Sequence, residues 1–252
     1  MLRDVERNHR SWLARGGETV ELDGVTLCLG STNATLVFPR PDADLKTAVQ
    51  TAVERGVSEV GCWGLDPDER LGRRLLALGF QDGWQPHWMG IEPADRPEPA
   101  DAAEESGECS TALPYGHDSA PADVARHFVA RERGALVGHA VLHVEGETGG
   151  LYDMGVAPAA RRRGHGTRLT LAVVAAAHEI GCTSVTLNAT GEGEPLYRGV
   201  GLTSLGHGMT WWLFRGAEVA QATVSTSLPC VRPVSPASCA RAASASGNVA
   251  ET

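Results

Sequence analysis

The sequence lacks the features that mark several classes of protein. No apolar run approaches the roughly 18 residues that a membrane helix needs, and the first residues contain no apolar stretch of a secretory leader. None of the 6 cysteines forms a CxxC pair, so no zinc site of the usual spacing is expected. Lysine occurs only at Lys46. These absences predict a cytoplasmic protein that contacts no membrane and holds no metal.

The overall composition is that of a soluble globular chain. The 252 residues are 42% hydrophobic and 21% charged, which suits one large domain or two small ones. The net charge of −9 argues against nucleic acid as the main partner, because phosphate backbones attract basic surfaces.

Two segments have too few large apolar residues to form a core of their own. Residues 92–120 are rich in Pro, Ala, Glu and Asp and are predicted to be an acidic linker. Residues 216–252 are rich in Ala, Ser and Pro and are predicted to be a disordered tail. Two structured blocks remain, at about 1–91 and 121–215, and each is small enough that we expect them to pack together.

The second block has a clear order of elements. Alternating apolar residues predict strands, and a 3.6-residue apolar spacing predicts helices that end at Gly181 and Gly201. The resulting order is β-β-β-α-β-α-β, an α+β class with a mixed sheet. The elements are expected at residues 127–132, 136–145, 151–156, 167–180, 183–188, 194–200 and 208–214.

The first block is a fainter repeat of the second. It begins with a helix that carries Val5 and Trp12, and Asp23-Gly24 indicates a tight hairpin. A strand over residues 84–91 is expected to close this block, as residues 208–214 are expected to close the second. We interpret the likeness as an internal duplication, with two unrelated α/β units as the alternative.

The segment from Val156 to Thr167 carries the most specific chemistry. Pro158 ends a strand, and Gly164 and Gly166 let the backbone turn sharply and approach a ligand closely. A helix opens directly afterwards, and a helix N-terminus attracts anions through its free N–H groups. With three arginines alongside, the segment predicts a phosphate cradle. It has no Gly-Lys-Ser/Thr, so it is not a Walker loop.

These residues resemble the GNAT superfamily of acyl-CoA-dependent N-acetyltransferases. The family signature Arg/Gln-x-x-Gly-x-Gly/Ala is met by Arg161, Gly164 and Gly166, after a Val-x-Pro at Val156 to Pro158. Further along, Asn188 at a strand end and Tyr197 before a Gly stop also match, with Leu202 in place of the usual Phe. The likeness covers about 95 residues and includes the order of elements.

The resemblance implies a role for each matching residue. The loop would hold the pyrophosphate of acetyl-CoA, and the preceding strand would hydrogen-bond the pantetheine arm and polarise the thioester carbonyl. Tyr197 would protonate the departing thiolate as general acid, and Asn188 would contact the pantetheine or an ordered water. The implied cofactor-binding residues are Met154, Gly155, Val156, Arg161, Arg162, Arg163, Gly164, His165, Gly166 and Thr167.

Simpler interpretations stay open for several of these residues. The three arginines are also compatible with a solvated surface run, Tyr197 with a half-buried core residue, and Asn188 with a strand-ending turn. The general base is unassigned. The candidates are Tyr152, Asp153, Glu145 and a water chain, with Asp153 able to reach the site only if a bulge redirects it.

The first block departs from the GNAT pattern. Residues 38–45 contain no glycine and two aspartates where the cradle would be, and Leu75 stands in the place of Tyr197. We therefore interpret this block as a degenerate GNAT-like half that has lost cofactor binding. The predicted function is acetyl transfer from acetyl-CoA to a primary amine of a small molecule or peptide, by direct attack in a ternary complex. The alternative is a CoA-binding regulatory or scaffolding protein without turnover.

Overall fold

The fold consists of two mixed sheets with helices packed on them. The computed structural model describes residues 1–95, 103–106 and 125–214. The helices of this part are α1 (Leu2–Ala14), α2 (Leu45–Glu54), α3 (Glu69–Ala77), α4 (His165–Glu179) and α5 (Glu194–Val200). No helix of these residues is both long and apolar enough to cross a bilayer.

The strands alternate with these helices in two runs. The first run is β1 (Glu18–Leu22), β2 (Val25–Leu29), β3 (Asn33–Val37), β4 (Glu59–Gly64), β5 (Gln81–Asp82) and β6 (His87–Ile91). The second is β7 (Glu104–Glu105), β8 (Arg126–Glu132), β9 (Ala135–Glu145), β10 (Thr148–Val156), β11 (Ser184–Ala189), β12 (Thr203–His207) and β13 (Met209–Phe214). The predicted α+β class and the order β-β-β-α-β-α-β are confirmed, with β12 as an added strand.

The last strand of each run lies in the sheet of the other run. The sheet orders are β1-β2-β3-β4-β13-β5 and β12-β6-β11-β10-β9-β8-β7. Thus β6, expected to close the first block, pairs with β11 from Val185↔Ile91 to Ala189↔His87. In turn β13, expected to close the second block, pairs with β4 from Met209↔Gly64 to Phe214↔Glu59. All five β6 residues are buried, so its sequence offers no polar face that would assign it to one sheet.

The two predicted low-apolar segments fall mostly outside the described residues. The tail at 216–252 lies wholly outside them, as does most of the linker at 92–120. Within the linker, Glu104 and Glu105 form β7, which pairs with Val129 and Phe128 of β8. The division into a catalytic half and a degenerate half stays a prediction.

Each sheet has its own apolar core. Leu27, Leu36 and Leu75 are fully buried in the first core, under α2 and α3. Leu169, Val173 and Val185 are fully buried in the second, where α4 crosses the sheet. The packing of α4 on the second sheet puts the start of that helix next to the end of β10, and the predicted cradle lies there.

Candidate active site

A split between two parallel strands forms the centre of the site. β10 pairs with β11 only over Thr148↔Ser184, Gly149↔Val185 and Gly150↔Thr186. β10 then continues to Val156 along β9 alone. The backbone groups of Met154 to Val156 that would face β11 therefore have no ladder partner on that strand. Such a strand can hydrogen-bond an extended ligand laid into the split.

A bulge lies in β10 directly after the last β11 pair. The register with β9 shifts between Tyr152 and Gly155, and Asp153 adopts φ +45°. Non-glycine residues rarely adopt this left-handed conformation, which costs free energy. A bulge at Asp153, the condition for this side chain to reach the site, is therefore present. The Asp153 side chain is half-buried.

The loop after β10 ends in a helix start without a side-chain cap. The N-cap of α4 is Gly164, with φ +82°. By contrast, Asp44 caps α2 by accepting from Thr47 N, and Asp68 caps α3 by accepting from Leu71 N. Nothing lies within 4 Å of where a Cβ on Gly164 would stand. The start of α4 thus has open space and free N–H groups, a fit for the pyrophosphate of a CoA thioester.

The three arginines of the loop have different surroundings. Arg161 donates to Val156 O and to Glu192 Oε1, at 3.2 and 3.0 Å. Arg163 donates to both carboxylate oxygens of Glu132, at 2.6 and 2.8 Å. All three side chains are exposed, so these surface pairs are weak and can be exchanged for a phosphate contact.

The predicted loop residues 165–167 differ in what they offer to a ligand. The ring of His165 is 4% exposed, and its Nδ1 lies 2.8 Å from Arg168 Nη2. Burial lowers the pKa of His165, which favours the neutral form of the ring. A Cβ on Gly166 would stand 2.5 Å from Leu196 Cδ1, so this glycine permits the close packing of α4 on α5. Thr167 is exposed.

The two predicted catalytic residues flank the split from different faces of the sheet. Tyr197 lies on α5, is 7% exposed and packs in the core under α4. Asn188 lies between Leu187 and Ala189, which belong to that same core. Because side chains alternate along a strand, Asn188 faces the opposite side, where it lies near Tyr152 and His9.

Comparison with known proteins assigns this region to a family. Residues 87–201 match the family model described as the acetyltransferase (GNAT) family. They contain the split, the loop, α4 and α5, and they begin at β6, the strand that joins the second sheet.

Residues 87–201 belong to the GNAT family. This region therefore carries a GNAT acetyltransferase domain, as its motifs implied.

Solved structures share the fold over most of the chain. A GCN5-related N-acetyltransferase from Kribbella flavida aligns with a TM-score of 0.64 and 17% identity, over 87% of this chain and 97% of that one. A putative GNAT acetyltransferase from Novosphingobium aromaticivorans aligns at 0.55 and 15%, over 85% and 99%. A tandem GNAT protein from the clavulanic acid biosynthesis pathway aligns at 0.52 and 13%, over 78% and 80%. No curated protein matches the sequence.

The structure narrows the candidates for the general base of the GNAT domain. The hydroxyl of Tyr152 donates to Asn8 Oδ1 at 2.8 Å, and burial raises the pKa of Tyr152 well above its ordinary value. Glu145 accepts from Ser11 Oγ and pairs in register with Thr148, at the closed end of β10. Asp153 in the bulge and a water chain are the remaining candidates.

Helix α1 contributes residues to this region that the sequence did not indicate. Asn8 Nδ2 donates to Thr148 O and His143 O, at the closed end of the split. His9 is 4% exposed, and burial lowers its pKa to about 3. In the sequence, α1 was predicted only from the apolar residues on one of its faces. The adjacent polar pair Asn8-His9 gave no signal because local sequence does not show what a helix packs against.

The first sheet has no counterpart of the split. β3 and β4 pair along their whole length, from Asn33↔Glu59 to Val37↔Trp63. Phe38 N continues the pairing by donating to Trp63 O at 2.8 Å. The carboxylate of Asp44 already occupies the start of α2, and an acid there repels a pyrophosphate.

We therefore expect one acetyl-CoA site per chain. Calorimetric titration of the full chain with acetyl-CoA should give a stoichiometry near one, because among the described residues only the second sheet combines an open split with an uncapped helix start. The matched control is Asp44→Gly, which removes the acidic cap of α2 but leaves β3 and β4 paired, and should not create a second site. Two equivalent sites in the wild-type chain would contradict this prediction.

Proposed function

We propose that the chain transfers an acetyl group from acetyl-CoA to a primary amine by direct attack in a ternary complex. The observation that carries this proposal is the split between β10 and β11 leading into the uncapped start of α4. Acetyl-CoA supplies an activated acetyl group as its thioester. The acceptor class is an amine of a small molecule or a peptide.

The residues of the loop bind the donor in this proposal. The N–H groups from Arg161 to Thr167 hold the pyrophosphate, with Arg162 exposed and without an ion pair among the described residues. Met154, Gly155 and Val156 hydrogen-bond the pantetheine arm through their backbone. An N–H near Val156 polarises the thioester carbonyl, where negative charge develops during attack.

The proton transfers fall to residues on both sides of the split. Tyr197 donates its proton to the departing thiolate, and Asn188 positions the pantetheine or an ordered water. Asp153 or a water chain accepts the proton that the amine loses as its nitrogen bonds to carbon. Holding both reactants in the split supplies much of the rate enhancement.

Thiol release measured against a panel of amines tests the proposal. The panel includes diamines, amino sugars, aminoglycosides and peptides with free N-termini, each with acetyl-CoA and the full chain. We expect turnover with at least one class, and mass spectrometry should show a 42 Da gain on the amine, the mass of an added acetyl group. Tight binding of acetyl-CoA without turnover on any amine would favour the regulatory or scaffolding alternative.

A further inference from the structure

The bulge at Asp153 needs support from neighbouring residues. Its φ of +45° is unfavourable for a residue with a Cβ, so the surrounding structure must hold it. The bulge also separates the closed part of β10 from Met154 to Val156, the part that runs along the split. Any group that fixes the bulge therefore fixes the strand that faces the donor.

Two buried histidines form a chain of hydrogen bonds that ends at this bulge. His139, on β9 opposite Gly155, is 0% exposed, and its Nδ1 lies 3.2 Å from Asp153 O. Its Nε2 lies 3.1 Å from Nδ1 of His127, which is 3% exposed. Both imidazoles are on the sheet face that bears Val141, opposite the face that packs on the α4 core.

The carbonyl oxygen of Asp153 determines which ring nitrogen carries hydrogen in each of the two histidines. A carbonyl oxygen only accepts, so Nδ1 of His139 carries hydrogen and donates to Asp153 O. Nε2 of the neutral ring then has a lone pair, and Nδ1 of His127 donates to it. Burial lowers the pKa of His139, which keeps this ring neutral as the arrangement requires.

We infer that His139 is a positioning residue for acyl transfer, which holds the Asp153 carbonyl and so places Met154 to Val156 in the split, and that His127 fixes the tautomer of His139. The inference rests on the proposed function. It concerns His127 and His139, which the proposed function does not use, and it assigns neither histidine a contact with a substrate.

The chain contains a matched control for this role. His143 lies on the same strand and face as His139 and is also buried, at 6% exposed. Its Nε2 lies 3.0 Å from Ser11 Oγ on α1, and its ring is edge-on to that of Tyr152 with the centroids 6.3 Å apart. Replacing His143 tests the loss of a buried imidazole from β9 without the loss of the donor to Asp153.

The tautomers are the first measurement, and they require no turnover. Long-range ¹H–¹⁵N spectra of the labelled full chain should show hydrogen on Nδ1 of His139, with the peaks assigned by their loss in His139→Gln. Free imidazole side chains favour hydrogen on Nε2, so the expected pattern is diagnostic. Hydrogen on Nε2 of His139 would overturn the inference.

Kinetics of the variants are the second measurement. His139→Leu should lower kcat by about 10²-fold, the scale of a 1 Å misplacement of reacting groups. The Kd for acetyl-CoA should change much less, because the pyrophosphate loop is untouched. His139→Gln should recover most of kcat, since its amide N–H can donate to the same carbonyl. His143→Leu should leave kcat within a few fold.

A double-mutant cycle isolates the part of His127. His127→Phe should lower kcat in the wild-type background and have no further effect in His139→Leu, because it acts only through His139. Additive losses, or equal losses in His139→Leu and His143→Leu, would contradict the inference. If the wild-type chain acetylates no amine, the proposed function fails, and the tautomer of His139 still decides whether it holds the bulge.

Discussion

Tyr197→Phe should lower kcat by about 10²–10⁴-fold, the usual contribution of a general acid. The hydroxyl is the proposed proton donor to the departing thiolate, and phenylalanine lacks it. The affinity for acetyl-CoA should change little, because the proton is needed only as charge builds on sulfur. The ring is buried in the core under α4, and phenylalanine keeps that packing. Thiol release gives kcat, and calorimetry gives Kd.

Tyr152→Phe is the control for the loss of a buried hydroxyl. It removes the hydrogen bond to Asn8 Oδ1 and leaves that oxygen unpaired, so it should lower Tm. It should leave kcat within a few fold, since Tyr152 holds α1 rather than the leaving group. An unchanged kcat in Tyr197→Phe, with the chemical step rate-limiting, would remove Tyr197 from the mechanism and leave it as a core residue.

Gly164→Val should raise the Kd for acetyl-CoA by about 100-fold or more, which corresponds to about 2.7 kcal/mol. Gly164 has φ +82°, and a branched side chain there is both strained and placed where the pyrophosphate approaches. Gly164→Ala introduces the strain of a Cβ at positive φ with a much smaller side chain, so the difference between the two variants measures the effect of the branched methyl groups. Equal Kd values in wild type and Gly164→Val would place the donor elsewhere.

Gly166→Val should behave differently, although the sequence predicts that both glycines approach the cofactor. Its Cβ would stand 2.5 Å from Leu196 Cδ1, so the substitution displaces α5 and with it Tyr197. We expect a lower Tm and a lower kcat, with a smaller effect on Kd than in Gly164→Val. Thermal unfolding and calorimetry of the two variants side by side separate cofactor contact from helix packing.

The residues that could be predicted from the sequence are close to one another along the chain. The segment from Val156 to Thr167 contains its own strand end, turn and helix start, so its shape follows from local chemistry. The same holds for the hairpin at Asp23-Gly24, where the glycine has φ +80°. The family likeness rested on this segment together with Asn188, Tyr197 and the order of elements, and it was confirmed.

The prediction failed where distant segments compete for the same place. β6 and β13 were each predicted as strands, and both are strands, but each was assigned to the wrong sheet. A strand that is apolar on both faces satisfies either sheet equally well, so its partner is decided by which edges are adjacent once the whole chain has folded. Local sequence contains no record of that choice.

The sequence by itself determined the family, and it singled out the loop from Arg161 to Thr167, Asn188 and Tyr197 as candidate site residues. Only the tertiary structure decided that β10 and β11 separate after Gly150. It also decided that Asn188 and Tyr197 lie on opposite faces of the sheet, and that α1 covers the face with Asn188. It also decided that Asp153 lies in a bulge next to His139, 14 residues away in the chain. Local patterns fix backbone conformation through sterics and hydrogen bonding, whereas contacts between distant residues depend on how complete sheets pack.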